Sequence, residues 1–129
     1  MPDSLAGDWA GELRQRGLEP FEIAVRIDPD GPTLVAYTGI DCGGHWVFRL
    51  AGESAPPTFV IDELINRGAG GKCKGSGTVT LRPHSKQDPY ERLGYSFEGG
   101  GVASRGVLRR ADAAEIDAIF AEAGVSPPG

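Results

Sequence analysis

The sequence holds few of the residue types from which many functional sites are built. Its 129 residues include only two cysteines and two histidines. Neither His45 nor His84 stands beside a serine or cysteine at a spacing that indicates a catalytic triad, and no motif for a cofactor or metal stands out. No run of 18 apolar residues occurs, so no membrane-spanning helix is predicted. With 13 basic against 18 acidic residues the formal charge is −5, which argues against nucleic acid as a partner.

The composition that remains is that of one globular domain. Apolar residues make up 40% of the chain and charged residues 24%, enough to bury a single core. A chain of this length suits one domain. The 20 glycines and 10 prolines predict frequent turns between short elements.

Alternation of apolar and polar residues predicts that these elements are β-strands. In the clearest case Phe21, Ile23, Val25 and Ile27 alternate with mostly polar residues, so one face of the strand is apolar. Seven further segments fit the same period: residues 7–15, 33–38, 44–50, 58–66, 77–82, 93–97 and 102–109. The short connections favour antiparallel neighbours. We predict an all-β fold in residues 1–110, an eight-stranded antiparallel up-and-down barrel, with a two-layered sandwich as the alternative.

The period changes to that of a helix within residues 111–129. Asp112 followed by Glu115 forms a start that resembles a capping box. The apolar residues at helical spacing are Ile116, Ile119, Phe120 and Ala123. We predict one short helix packed on the barrel. A face that binds a partner or a second copy of the chain is the alternative.

Two sets of sequence motifs resemble those of known families. Gly7-Asp8-Trp9 is similar to the Gly-x-Trp start of lipocalin and avidin-like (calycin-like) barrels, in which the Trp plugs one end. A longer pattern from Leu5 to Arg110 resembles the small Cys-paired β-domain found outside the membrane in some actinobacterial serine/threonine kinases and related lipoproteins. Its motifs include Cys42-Gly43-Gly44, Glu63-Leu64-Ile65, Gly71-Lys72-Cys73, Leu93-Gly94-Tyr95-Ser96-Phe97 and Gly106-Val107-Leu108-Arg109.

The second resemblance implies a bridge between Cys42 and Cys73, a sensing or binding role and no catalytic motif. The residues themselves leave alternatives open. The two cysteines could be reduced thiols, or they could bind zinc together with His45 and His84. The chain also departs from the resemblance, because no kinase or membrane segment precedes the domain and the C-terminal helix is extra.

Glu63 is the most informative polar residue. If its strand turns Phe59, Ile61 and Ile65 inward, Glu63 points inward too, where a carboxylate needs a partner or a proton. Arg105, Arg49, Tyr37 and Tyr95 are the candidate partners. The residues predicted to line a ligand pocket are Trp46, Phe48, Phe59, Ile61, Glu63, Tyr95 and Phe97. The alternative is that the aromatic residues, with Trp9, simply fill the core and that Glu63 lies in water at the barrel mouth.

We therefore predict a small ligand-binding or sensor domain that takes a small apolar or amphipathic molecule or a protein. One alternative is a cofactor-independent enzyme in which Glu63 or a tyrosine moves a proton. Another is a structural protein that oligomerises through Ile116, Ile119 and Phe120. The resemblance and the cysteine pair favour an extracytoplasmic location, whereas a start at Met1 without a secretion signal favours the cytoplasm.

Overall fold

A computed structural model describes residues 3–53, 56–68, 73, 75–85 and 87–125. Eight strands pair in chain order, each antiparallel to the next, and the last pairs with the first. The strands are β1 (Gly7–Gln15), β2 (Phe21–Ile27), β3 (Thr33–Tyr37), β4 (Cys42–Ala51), β5 (Phe59–Arg67), β6 (Gly77–Pro83), β7 (Arg92–Gly99) and β8 (Val102–Arg110). The predicted closed barrel is confirmed and the sandwich alternative is wrong, because the ladder from β1 to β8 leaves no open layer.

The alternation in the sequence decides which side chains fill the barrel. On β2, Phe21, Ile23, Val25 and Ile27 are at most 4% exposed, and the other strands contribute their own inward positions to the same cluster. Burial of these side chains is the main favourable contribution to folding. The side chain of Leu50, in the predicted strand 44–50, lies outside the described residues, as do residues 126–129.

One helix, α1 (Ala113–Glu122), packs on the outside of the barrel as the sequence predicts. The backbone N–H of Glu115 donates to the Asp112 carboxylate at 2.8 Å, which caps the first turn. The apolar stripe of α1 covers a row of small residues that face each other in register on neighbouring strands: Ala10, Ala24 and Ala36. The next residue in register, Gly43, is covered by Val125, which follows the helix. Because Ile116, Ile119 and Phe120 are already buried within one chain, they do not offer the oligomerising face that the sequence left open.

A 3-10 turn at Asp3–Leu5 and the adjoining start of β1 close one end of the barrel. Trp9 is fully buried there and its Nε1–H donates to the Leu5 carbonyl at 2.9 Å. The guanidinium of Arg110, from the end of β8, lies 3.9 Å from the Trp9 ring centre, within range of a cation–π interaction. We call this end of the molecule the closed end.

No helix among the described residues is both long enough and apolar enough to cross a membrane.

Candidate functional site

The opposite end of the barrel, which we call the mouth, holds a small cavity. It is lined by residues from seven strands, from the turn between β3 and β4 and from the segment before β6: Gln15, Phe21, Tyr37, Ile40, Cys42, Glu63, Cys73, Gly75, Tyr95, Phe97, Val102 and Ser104. Its volume of about 20 Å³ holds roughly one water molecule. Side chains therefore fill most of the barrel, and polar groups gather at this small unfilled space.

A disulfide between Cys42 and Cys73 forms part of the cavity wall. It joins the start of β4 to the segment before β6, across 31 positions of chain and with 6.4 Å between the Cα atoms. The predicted bridge is confirmed. The reduced-thiol and zinc hypotheses are wrong, because each sulfur is already bonded to the other.

Glu63 points into the barrel and is only 2% exposed. Its Oε2 accepts a hydrogen bond from the Tyr37 hydroxyl and another from Trp46 Nε1 at 2.8 Å. Trp46 stands directly opposite Glu63 in the β4–β5 register, and Tyr37 extends from β3. Of the predicted partners, Tyr37 is therefore right. Arg49 instead pairs with Asp62 outside the barrel, and Arg105 is exposed on its outer surface.

The protons of this cluster can be placed by counting donors. The hydroxyl oxygens of Tyr37 and Tyr95 are 2.8 Å apart. A phenol has one proton to donate. Since the Tyr37 proton is used on Glu63, Tyr95 must donate to Tyr37. The result is a hydrogen-bonded chain that runs from Tyr95 through Tyr37 to the carboxylate.

The other carboxylate oxygen, Oε1 of Glu63, has no hydrogen-bond donor among the described residues. Every fully buried side-chain nitrogen or oxygen in the described part of the chain does have a partner. Oε1 therefore touches accessible space, and the cavity is the accessible space that Glu63 lines. Thus Oε2 of Glu63 is hydrogen-bonded within the protein, while Oε1 faces the cavity.

Burial tunes the titration of the whole cluster. It raises the pKa of Glu63 to about 6, although hydrogen bonds from Tyr37 and Trp46 act in the opposite direction. Burial, reinforced by the negative charge of Glu63, raises the pKa of both Tyr37 and Tyr95 well above that of a free phenol. At neutral pH the phenols are thus neutral donors. Oε1 is then a charged acceptor, and below pH 6 it gains a proton that it can donate into the cavity.

The structure divides the predicted pocket residues into two groups. Glu63, Tyr95 and Phe97 line the cavity. Trp46 lies outside the lining but bonds to Glu63 and stacks on Tyr95, with ring centres 6.4 Å apart. The other three are packed deeper or on another side of the barrel, where Phe48 meets Phe59 edge-on and Ile61 is fully buried. Their role in ligand binding stays a prediction.

Sequence reasoning missed seven residues of the cavity lining as site residues: Gln15, Phe21, Tyr37, Ile40, Gly75, Val102 and Ser104. Three of them, Gln15, Tyr37 and Ser104, carry polar side chains. The Ser104 hydroxyl donates to Gln15 Oε1 at 2.7 Å and so links β8 to β1 across the mouth. Tyr37 had a usable signal, since it shares the inward parity of Thr33 and Val35 on β3. The same signal was available for Gln15 and Ser104, which share the inward parity of Leu13 on β1 and of Leu108 on β8.

Comparisons with known proteins support the fold. No protein-family model matches the chain, and no curated protein sequence matches it. Among solved structures, the chain is similar to a de novo designed fluorescence-activating beta barrel with a TM-score of 0.58 and 15% sequence identity. The match covers 86% of this chain and 100% of the designed one. At this identity the likeness shows the barrel fold alone, and the resemblance to kinase and lipoprotein domains stays a prediction.

Proposed function

We propose that the protein is a ligand-binding domain whose ligand is a small amphipathic molecule with a positively charged or hydrogen-bond-donating end. That end binds Oε1 of Glu63 in the cavity at the mouth, and the apolar part lies among Ile40, Phe97 and Val102. The single observation that carries the proposal is a buried carboxylate with one oxygen bonded by the protein and the other facing accessible space.

Energetics support a functional reason for this carboxylate. A charged group in an apolar interior costs several kcal/mol unless it is paired, and no cationic side chain of the described residues lies against Glu63. A buried group with a displaced pKa in a pocket is typical of binding and catalytic sites. A barrel of the same fold described as fluorescence-activating agrees with ligand binding in this general sense.

The size of the cavity limits how the ligand enters. About 20 Å³ is far below the roughly 300 Å³ of ordinary ligand pockets. The space accepts the polar end of a ligand but not its body. Binding therefore requires side chains at the mouth to move apart, beginning with the Gln15–Ser104 pair that crosses it. A ligand that lies deep in the barrel interior does not fit the packed core.

The two tryptophans allow a direct test by NMR. Titration with propylammonium at pH 8, where Glu63 is ionised, should move the indole N–H resonance of Trp46, which is bonded to Glu63. The indole resonance of Trp9, bonded to Leu5 at the closed end, serves as the internal control. Propanol, which has the same carbon chain without the charge, should bind far more weakly.

Variants of neighbouring carboxylates complete the test. Glu63→Gln should weaken propylammonium binding at least about tenfold, the equivalent of one charge-assisted hydrogen bond. Asp62→Asn removes a carboxylate that points outward to Arg49 and should leave binding unchanged. Equal affinity in the parent and Glu63→Gln, or equal movement of both indole resonances, would contradict the proposal.

A second candidate function rests on the Tyr95–Tyr37–Glu63 chain, which could carry a proton to or from a bound molecule. In that case the protein is a cofactor-independent enzyme. Glu63→Gln separates the two functions: an enzyme that uses Glu63 as acid or base loses turnover while it keeps affinity for a neutral ligand, whereas a binding domain shows no turnover in either form.

We also propose that the domain works as a sensor in an oxidising, extracytoplasmic compartment, as the kinase and lipoprotein resemblance implies. The disulfide supports this location, because such bonds persist mainly outside reducing compartments. Thiol titration of denatured protein taken from its native host should find no free thiol. Two free thiols per chain would contradict the proposed location.

A further inference from the structure

A second candidate site lies on the outer wall of the barrel, away from the mouth cavity. An open groove of about 460 Å³ crosses strands β6, β7 and β8. Arg82 on β6 stands opposite Gly94 on β7, and Arg105 on β8 stands opposite Ser96 on β7. Both arginines line the groove, and Gly94 and Ser96 form the floor between them.

Among the described residues Arg82 and Arg105 have no anionic partner, as is also true of Arg16 and Arg92, but Arg82 and Arg105 line one groove together. Elsewhere on the surface Arg26 pairs with Asp8, Arg49 with Asp62 and Arg109 with Glu115. Among the described residues no carboxylate pairs with Arg82 or Arg105, although acidic residues outnumber basic ones by 18 to 13 in the chain. Two neighbouring guanidinium groups without counter-charge favour an anion between them.

The surroundings of the groove add to this positive charge. Arg14 on β1 stands opposite Arg105, and its contact with Glu12 is long, at 3.5 Å, and highly exposed, so it neutralises little. In the described part of the chain, Glu98 is the only carboxylate that lines the groove, on the far side of Ser96 from Gly94. Positive charge therefore dominates at Gly94, and Glu98 limits how far an anionic ligand can extend along β7.

Gly94 provides an independent observation. A glycine inside a strand weakens it and needs a reason. At Gly44 and Gly106 the reason is space, because an added Cβ would lie 1.9 Å from the Leu64 carbonyl oxygen and 2.3 Å from that of Glu12. At Gly94 an added Cβ would lie 3.6 Å from the nearest atom, the Arg82 carbonyl oxygen, and the backbone has no positive φ. The fold therefore does not require a glycine at position 94. A glycine is required there if the floor between the two arginines must stay open.

The strand geometry lets the two arginines reach one ligand. Neighbouring strands are about 4.8 Å apart and alternate residues about 7 Å apart, which places the Cα atoms of Arg82 and Arg105 roughly 12 Å from each other across β7. Extended arginine side chains of about half that length can meet above Gly94 from both sides. The Ser96 hydroxyl, which has no partner among the described residues, lies beside this point.

We propose that this groove binds the phosphate group of a small soluble ester. Arg82 and Arg105 clamp the phosphate oxygens from two sides, the Ser96 hydroxyl donates a hydrogen bond, and Gly94 leaves room for the group to approach the sheet. A small ester is favoured over a polyanion or an anionic membrane because Glu98 closes one end of the groove and the whole chain carries −5.

NMR titration of the full chain with inorganic phosphate and with methyl phosphate tests the site. Saturable shifts should centre on the amides of Gly94, Ser96 and Arg105, and sodium chloride at the same ionic strength should not reproduce them. Arg82→Gln and Arg105→Gln should each weaken binding about tenfold. Arg49→Gln, which removes an exposed arginine of β4, should leave it unchanged.

Gly94→Leu separates shape from charge, because it fills the floor and keeps every arginine. It should abolish phosphate binding, while Gly94→Ala should fold with at least the parent's melting temperature, since the added methyl group meets no close atom. Glu63→Gln should bind phosphate as the parent does, so the result is independent of the proposed function at the mouth. Three outcomes would overturn the proposal: unsaturable shifts spread over the surface, unimpaired binding by Gly94→Leu, or tighter binding to anionic vesicles than to methyl phosphate.

Discussion

The two ends of the barrel use buried polar groups in opposite ways. At the closed end the polar groups of Trp9 and Arg110 bond within the protein: the Trp9 indole N–H donates to the Leu5 carbonyl, and Arg110 donates to the carbonyls of Ser4, Ala6 and Tyr90 at 2.6 to 3.1 Å and covers the Trp9 ring. At the mouth Glu63 is buried as deeply, yet one of its oxygens is left to the cavity. The closed end stabilises the fold, while at the mouth Oε1 of Glu63 has no hydrogen-bond donor among the described residues.

This contrast indicates where the molecule can be altered without losing a function. A fully satisfied network contributes to stability, and any change in it is costly. A buried charge with an unsatisfied side lowers stability and persists where it serves another purpose. Four measurements test whether the two ends differ in this way.

Trp9→Ala should have the largest effect. It removes a fully buried indole, its hydrogen bond to Leu5 and the ring that Arg110 covers. We expect the free energy of unfolding to fall by about 3–5 kcal/mol, measured by urea denaturation. A loss below about 1 kcal/mol would mean that the closed end is not a main source of stability, and the contrast would fail.

Removal of the disulfide should come next. The double variant Cys42→Ala/Cys73→Ala opens a loop of 31 positions and should lower the free energy of unfolding by about 3–4 kcal/mol in the chain-entropy model. Addition of reductant to the parent protein should reproduce this loss, and the double variant should not respond to reductant. Equal stability of the oxidised and reduced parent would show that the mouth does not depend on its covalent link.

Glu63→Gln should increase stability at neutral pH. Because the folded protein raises the pKa of Glu63 from 4.5 to about 6, it binds more protons than the unfolded chain between these values, and stability falls as the pH rises through them. The cost is about 2 kcal/mol, fully present above pH 6 and absent well below 4.5. The variant should therefore gain about that amount over the parent at pH 8 and none at pH 4.

The pH comparison has a matched control in Asp62→Asn, on the neighbouring outward position. The difference in free energy of unfolding between Asp62→Asn and the parent should not increase between pH 4 and 8 as that of Glu63→Gln does. If the difference in free energy of unfolding between Glu63→Gln and the parent did not change with pH, the carboxylate would be as well solvated in the cavity as in water. Burial of Glu63 would then not lower stability, and the mouth would not differ from the closed end in this respect.

Ser104→Ala should have the smallest effect. It breaks the bond to Gln15 that crosses the mouth and should lower stability by about 1 kcal/mol. If this pair restricts entry, the variant should also bind propylammonium faster than the parent in stopped-flow measurements. An unchanged association rate would place the entry route elsewhere.

The fold was predictable because its signal is local. Alternation on each strand and the spacing of Ile116, Ile119 and Phe120 on α1 depend only on neighbouring residues. The disulfide could be predicted only from a resemblance, because the spacing of two cysteines does not show whether they are oxidised. The row of small residues under α1 was invisible for the opposite reason: Ala10, Ala24 and Ala36 are unremarkable in their own strands and form a surface only once the register is known.

The site was predictable only in part because its contacts are distant in the chain. Parity on β5 places Glu63 inside, but Tyr37 precedes it by 26 positions, and 58 positions separate Tyr37 from Tyr95. Closure of the barrel brings the three together. The size of the cavity depends on how side chains from seven strands interdigitate, which no periodicity encodes.

The seam between β1 and β8 has a consequence for biosynthesis. Arg110 reaches back to the backbone of Ala6 across 104 positions, so the barrel wall stays open during synthesis until β8 has left the ribosome. Early hairpins can form as they emerge, but the cooperative step waits for the final strand, and non-local closure of this kind is slow. A stall or truncation before Arg110 should release a fragment that exposes apolar surface and depends on chaperones, rather than a smaller folded barrel.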